Sequence, residues 1–288
     1  MHIKQLRWLS LSFVVLGATY ILGGCTSAPT VIERITNAQT IAKRSGFQSS
    51  LITTPQFDFV VFRKSTPQLS DRLVVYIEGD GLAWKTASLP SNNPTPINPL
   101  ALSLAVQDDR PAVAYLARPC QYVDLPSRGC SEKEWTNARF SPVVITSMSG
   151  AIDILKKEFR AKELVLIGFS GGGAIAVLIA SRRQDVAGIV TIAGNLDTET
   201  WVSLYGLEPL TGSLNPTSVA TQLSSMPQIH FIGRKDEVIS KTVTESYLHK
   251  MGSPNQTKII ELPNYGHVCC WSDSWKELLK KTNQVNSN

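Results

Sequence analysis

An apolar run, Glu163-Leu-Val-Leu-Ile-Gly168, leads into Phe169-Ser170-Gly171-Gly172, and small and apolar residues follow over 173–180. The first run reads as a short buried strand and the last as the helix after it. A serine on so sharp a turn has its hydroxyl pushed out above the sheet. Glycines flank it because a Cβ there would meet the neighbouring strand or helix. The Gly171 N–H opens the helix, where partial positive charge can hold a developing oxyanion. The bare G-x-S-x-G pattern is weak, since ordinary glycine and serine usage gives roughly 0.1 chance matches in such a chain. The strand–turn–helix context therefore carries the reading.

A serine nucleophile needs a base, and the base needs a group to orient it. With four histidines in the chain, elimination is possible. His2 sits in the N-terminal leader, His230 inside the strand-like run 228–233, and His249 in the helical stretch 242–251. His267 ends Leu262-Pro-Asn-Tyr-Gly-His267, in a turn directly after the strand-like residues 257–262. That is where a base would be placed. Asp236, just past a strand end, is the expected acid. Asp197, after the strand-like run 188–193, competes with it.

The chain order Ser170, Asp236, His267 resembles that of the α/β-hydrolases, and the resemblance covers nearly all of the chain after its leader. Strand-like runs at 50–53, 57–62, 72–77, 112–116, 164–167, 189–193, 229–232 and 258–262 fall in the order this fold uses, the first two as an antiparallel pair. Helical stretches alternate with them. The clearest starts at a Ser141-Pro142 cap and repeats Ile145, Met148, Ile152, Leu155 and Phe159 at spacings of three and four. The fold class implied is α/β: a mostly parallel eight-stranded sheet with helices on both faces and a ligand site at the strands' carboxyl ends. Residues 197–226 would add a small cap.

The resemblance implies a hydrolase acting on an acyl, ester-like bond through a Ser-His-Asp triad and an acyl-enzyme. An acyltransferase or peptidase of the same fold remains open. So does a non-catalytic binding module, although the intact Ser170-Asp236-His267 set argues against it. The oxyanion hole would combine the N–H of Gly171 with that of Asp80 or Gly81, in the turn after the third strand. This turn departs from the His-Gly-Gly pattern of many esterases. Glu78 and Asp80 would repel an oxyanion unless turned away or paired, with Arg118 or Arg139 as partners.

The first residues supply an address. Lys4 and Arg7 precede an apolar stretch, 8–21, shorter than the ~20 residues a spanning helix needs. It ends in Leu22-Gly23-Gly24-Cys25, which resembles the lipobox of bacterial lipoproteins. The expected organisation is a signal peptide over 1–24, a lipidated Cys25 with a tether over 25–45 (helical from 31 to 42), and the hydrolase domain over 46–288. Membrane attachment would run through Cys25 in the bacterial cell envelope. Thr26, in place of Asp, suggests by the same resemblance the outer membrane. Without Lys4 and Arg7 the chain carries 26 basic and 23 acidic residues, too mild a surplus to argue for nucleic acid. No cofactor or metal is expected, since neither histidines nor cysteines have ligand spacing. The partner is a small-molecule or lipid-like acyl substrate.

Four further cysteines, Cys120, Cys130, Cys269 and Cys270, allow three pairings. Cys120–Cys130 is the expected bridge, closing a loop of about ten residues for roughly 2–3 kcal/mol. Cys269 and Cys270 would then form an adjacent bridge or stay thiols. The rival is cross-pairing between the two loops.

Overall fold

The computed structural model describes residues 28–64, 69–86, 88–252 and 254–282. In chain order these form α1 (Val31–Arg44), β1 (Phe47–Thr53), β2 (Asp58–Lys64), β3 (Arg72–Ile77), α2 (Leu100–Ala105) and β4 (Val113–Leu116). Then come α3 (Pro142–Phe159), β5 (Glu163–Phe169), α4 (Gly171–Ala180), β6 (Val186–Ile192) and α5 (Thr198–Tyr205). β7 (Gln228–Gly233), α6 (Lys241–Met251), β8 (Thr257–Leu262) and α7 (Trp271–Lys280) complete the chain. The sheet has eight strands in the order β1-β2-β4-β3-β5-β6-β7-β8. β1 and β2 pair antiparallel, β2 meets β4 antiparallel, and all later pairs are parallel.

A parallel strand covered on both faces must be apolar at every position, with its side chains alternating between two cores. β3 does this: Leu73, Val75 and Ile77 enter one core while Val74 and Tyr76 enter the other. The first core is roofed by α3, α4 and the end of α6, the second by α1, α2 and α7. On α3, Ile145, Met148, Ile152, Leu155 and Phe159 are all buried. Each large side chain so buried contributes about 1.5–3 kcal/mol. The Ser141 hydroxyl accepts from the Val144 N–H at 3.3 Å, and Pro142 occupies the first turn, where its missing N–H costs nothing.

The N-terminal organisation differs from expectation. Over 31–44 the expected tether is a helix of the domain itself. Thr30 and Glu33 form its capping box, and Ala38 and Ala42 are buried against β1 and α2. The cause is a stripe of apolar residues, Ile35, Ala38, Ile41 and Ala42, on one helical face. The expected signal peptide (1–24), Cys25 and residues 26 and 27 lie outside the described residues. No described helix is long and apolar enough to cross a membrane.

Cys120 and Cys130 are bonded, with Cα atoms 5.6 Å apart, and Cys269 is bonded to Cys270. The first bridge packs with Ala83 and Trp135, beside the turn after β3.

Candidate active site

β5 ends at Phe169 and α4 begins at Gly171, so Ser170 alone makes the turn, at φ 52° and ψ −121°. That left-handed backbone is strained for any residue with a Cβ. The surroundings hold it there. The Ser170 N–H donates to the Ile192 carbonyl at 2.9 Å, and its own carbonyl accepts from Gly173 and Asn195 at 2.9 and 3.0 Å. A Cβ on Gly168 would fall 2.2 Å from the Gly172 carbonyl oxygen, and one on Gly172 2.3 Å from that of Ile77. Only glycine lets α4 start this close to β3.

The loops after β7 and β8 bring two distant residues to this turn. His267 Nε2 lies 3.1 Å from Ser170 Oγ, and its Nδ1 lies 2.9 Å from Asp236 Oδ2. The other Asp236 oxygen accepts the N–H groups of Val238 and Ile239, both at 2.8 Å. A carboxylate held this way keeps the Nδ1 proton toward itself and leaves Nε2 free to accept from the serine hydroxyl. The Phe169 ring packs at 5.1 Å from the imidazole, and the His267 carbonyl accepts from the Trp271 indole at 3.0 Å.

Asp197 is placed elsewhere. It caps α5, accepting from Glu199, Thr200, Asn215 and Ser246. His230 is buried in β7 against Thr191 Oγ1, its pKa pushed down to about 3 by burial, and His249 lies in the last turn of α6.

The turn after β3 answers the question raised by its two acids. Asp80 is gripped from both sides, by Arg118 Nη1 at 3.0 Å on one oxygen and Arg139 Nη1 at 2.6 Å on the other. Burial opposes its ionisation, but Arg139 and then Arg118 outweigh it and hold the carboxyl below its ordinary range. Glu78 turns inward. It accepts from the N–H groups of Gly79 and Ala101 and from the Tyr115 hydroxyl, and burial pushes its pKa up to about 7. Neither acid therefore presents an unpaired charge to Ser170. The Asp80 carboxylate runs close under Gly171, and Gly81 (φ 66°) turns the chain beneath the Pro94 carbonyl. The N–H groups of Asp80, Gly81 and Gly171 donate to no protein acceptor among the described residues.

Asp80 and Gly81 border a cavity of about 390 Å³ above Ser170 and His267. Trp84, Ile97, Asn195, Trp201 and Val268 are among its walls. The expected cap forms α5 and two short 3₁₀ turns, and of these α5 supplies Trp201, whose ring faces the Arg139 guanidinium. Asn195 escapes motif reading altogether. It follows β6, lines the cavity, and its side-chain oxygen is buried without a protein donor. No spacing marks it, because only the packing of the turn brings it there.

Sheet order, serine turn and layered helices define an α/β-hydrolase. The resemblance to solved structures says the same of the fold. A puromycin hydrolase superposes with a TM-score of 0.59 at 16% identity, over 83% of this chain and 39% of that one. The chain thus spans about two fifths of that protein's length. An esterase from Pyrococcus furiosus superposes with a TM-score of 0.57 at 13% identity, over 84% of this chain and 93% of its own. No curated protein sequence matches significantly. The family description "Serine hydrolase (FSH1)" matches residues 111–276, more than half of the chain, which therefore belongs to the FSH1 serine hydrolase family. It is a hydrolase enzyme.

Proposed function

We propose that this enzyme is a membrane-anchored serine hydrolase that cleaves an acyl, ester-like bond, with Ser170 as nucleophile, His267 as general base and then acid, and Asp236 as the orienting carboxylate. The observation that carries this reading is the unbroken relay Ser170–His267–Asp236, at 3.1 and 2.9 Å, on the floor of a cavity. Ser170 Oγ attacks the carbonyl carbon as its proton passes to His267 Nε2. The resulting imidazolium is stabilised by Asp236. The carbonyl oxygen, now negative, is received by the N–H of Gly171 together with that of Asp80 or Gly81. His267 returns the proton to the leaving alcohol, and the acyl-enzyme remains. Water then gives a proton to His267 and attacks the acyl carbon; the ester bond to Ser170 breaks, His267 returns that proton to Ser170 Oγ, and the acid leaves.

The anchor is a lipidated Cys25, supported by the charged, apolar and small-residue order of the leader. It places the enzyme in the bacterial cell envelope, at the outer membrane where there are two. The test of the chemistry is fluorophosphonate labelling followed by a panel of p-nitrophenyl esters of graded chain length. Ser170→Ala should lose the label and the turnover together. Wild-type hydrolysis by that variant would sink the assignment. Cys25→Ser should move the protein out of the membrane fraction, and unchanged fractionation would refute the anchor.

A further inference from the structure

α1 reaches β1 through a two-residue turn and packs along it, so the two run in opposite directions. β1 is antiparallel to β2, and β2 to β4, so β1 climbs toward the same edge as the parallel strands. α1 therefore begins at the edge that carries the cavity. Its first turns are tied there. Arg34 donates to the carbonyls of Asn93 and Thr95, and Asn37 to that of Ile97, which lines the cavity. Four residues lie between Cys25 and Thr30, the cap of α1. Fully extended, the five Cα steps reach no more than about 18 Å. A domain of this size is about 45 Å across. A tether that short, attached at one edge, cannot bring the opposite edge to the membrane.

The same edge exposes a set of apolar side chains among charged ones such as Lys85, Arg234, Lys235 and Glu237. More than half of the exposed large hydrophobic side chains among the described residues belong to it. Trp84 and Leu89 stand on the turn after β3, Val238 and Val268 on the Asp236 and His267 loops, and Ile32 on the first turn of α1. Leu204 and Tyr205 lie three and four positions beyond Trp201, on the helix face that Trp201 presents to the cavity. Apolar groups surrounding a cavity mouth mark an interaction surface.

We propose that this edge is a membrane-docking face, so that the cavity opens onto the bilayer and takes an amphiphilic acyl substrate from it. The inference rests on the anchor and the serine-hydrolase chemistry proposed above. Anchor and apolar rim act together: the short tether holds the rim near the surface, and the rim's insertion orients the cavity mouth.

The experiment uses the full lipidated chain and two substrates. One is p-nitrophenyl butyrate in solution, the other an acyl ester dispersed in vesicles of phosphatidylethanolamine and phosphatidylglycerol. The double variant Leu89→Asp/Leu204→Asp touches neither the cavity wall nor the relay. It should lower hydrolysis of the vesicle substrate by about tenfold or more, with turnover of the soluble ester unchanged. Lys162→Glu, on the opposite edge, should alter neither. Full vesicle activity in the double variant overturns the docking face. So does a wild-type dimer in sedimentation that the double variant dissociates, because a second copy would then cover the rim. Failure of the underlying readings looks different. Ser170→Ala would retain soluble turnover, or the N-terminal peptide would carry no acyl chain by mass.

Discussion

The two edges of the sheet are made from the ends of the same strands, yet they share almost nothing chemically. At the carboxyl edge lie the serine turn, the acid and histidine loops, both disulfides, the doubly clamped Asp80 and an apolar rim. At the amino edge, Asp71, Arg72, Asp108, Arg110, Lys162, Glu163 and Lys276 surround an open, charged depression, with exposed pairs such as Lys162–Asp71 at 3.2 Å. Loops at the carboxyl edge lead into helix N-termini, where free N–H groups face outward and can receive negative charge. The amino edge receives helix C-termini, whose free groups are carbonyls. Chemistry collects at one edge because the backbone polarity of a parallel sheet is not symmetric.

The largest test of this contrast is the relay. Under the proposed roles, Ser170→Ala or His267→Ala should reduce turnover by roughly 10⁴–10⁶-fold, and Asp236→Asn by about 10⁴-fold, with melting temperature nearly unchanged. A wild-type rate in Asp236→Asn, with loss in Asp197→Asn instead, would transfer the orienting role to the α5 cap. Next comes the clamp. Asp80→Asn leaves Arg118 and Arg139, both nearly fully buried, without their counter-charge. The expected cost is about 3–5 kcal/mol of stability, read by chemical denaturation.

Glu78 sharpens the comparison through pH. Its folded pKa of about 7 lies above its unfolded value, so the folded state holds the proton more tightly. The stability this gives is complete below about pH 4.5 and falls as pH rises toward 7, by about 3 kcal/mol in all. Glu78→Gln should flatten that decline, as measured by denaturation midpoints across the window. Asp80 has the opposite sign, since its depressed value contributes stability above the ordinary carboxylate range that is lost in acid. Asp197→Ala should cost about 1 kcal/mol through a lost α5 cap while leaving turnover intact. At the amino edge, Lys162→Ala should shift the melting temperature by no measurable amount, because both partners of its ion pair are solvated. A large loss there would break the asymmetry between the edges.

Much of the frame was legible without coordinates. The continuous apolar runs of β3, β5 and β6 announce strands buried on two faces, and the three-and-four spacing on α3 announces one helical face. The small residues around Ser170 announce a turn that tolerates no Cβ. The strand ends before Asp236 and His267 mark both as loop residues of one edge. Each of these signals lies within a window of about fifteen residues, and local backbone periodicity is enough to express it.

Other features depend on groups far apart in the chain. Asp80 meets Arg118 and Arg139 across 38 and 59 positions, and Ser170 meets His267 across 97. The sequence points to both arginines as partners, but that one carboxylate binds both depends on the packing of three loops. Residues 31–44 read as part of a tether, because an apolar stripe on a short helix does not reveal which surface will cover it. Order along the chain, strand and helix identity and the choice of Ser170, Asp236 and His267 were thus determined by the sequence itself, through steric and periodic rules that act on neighbours. The raised pKa of Glu78, the placement of Asn195, the docking of α1 and the direction in which the N-terminus leaves the domain were decided only by tertiary packing, because burial and charge pairing exist only once distant segments have met.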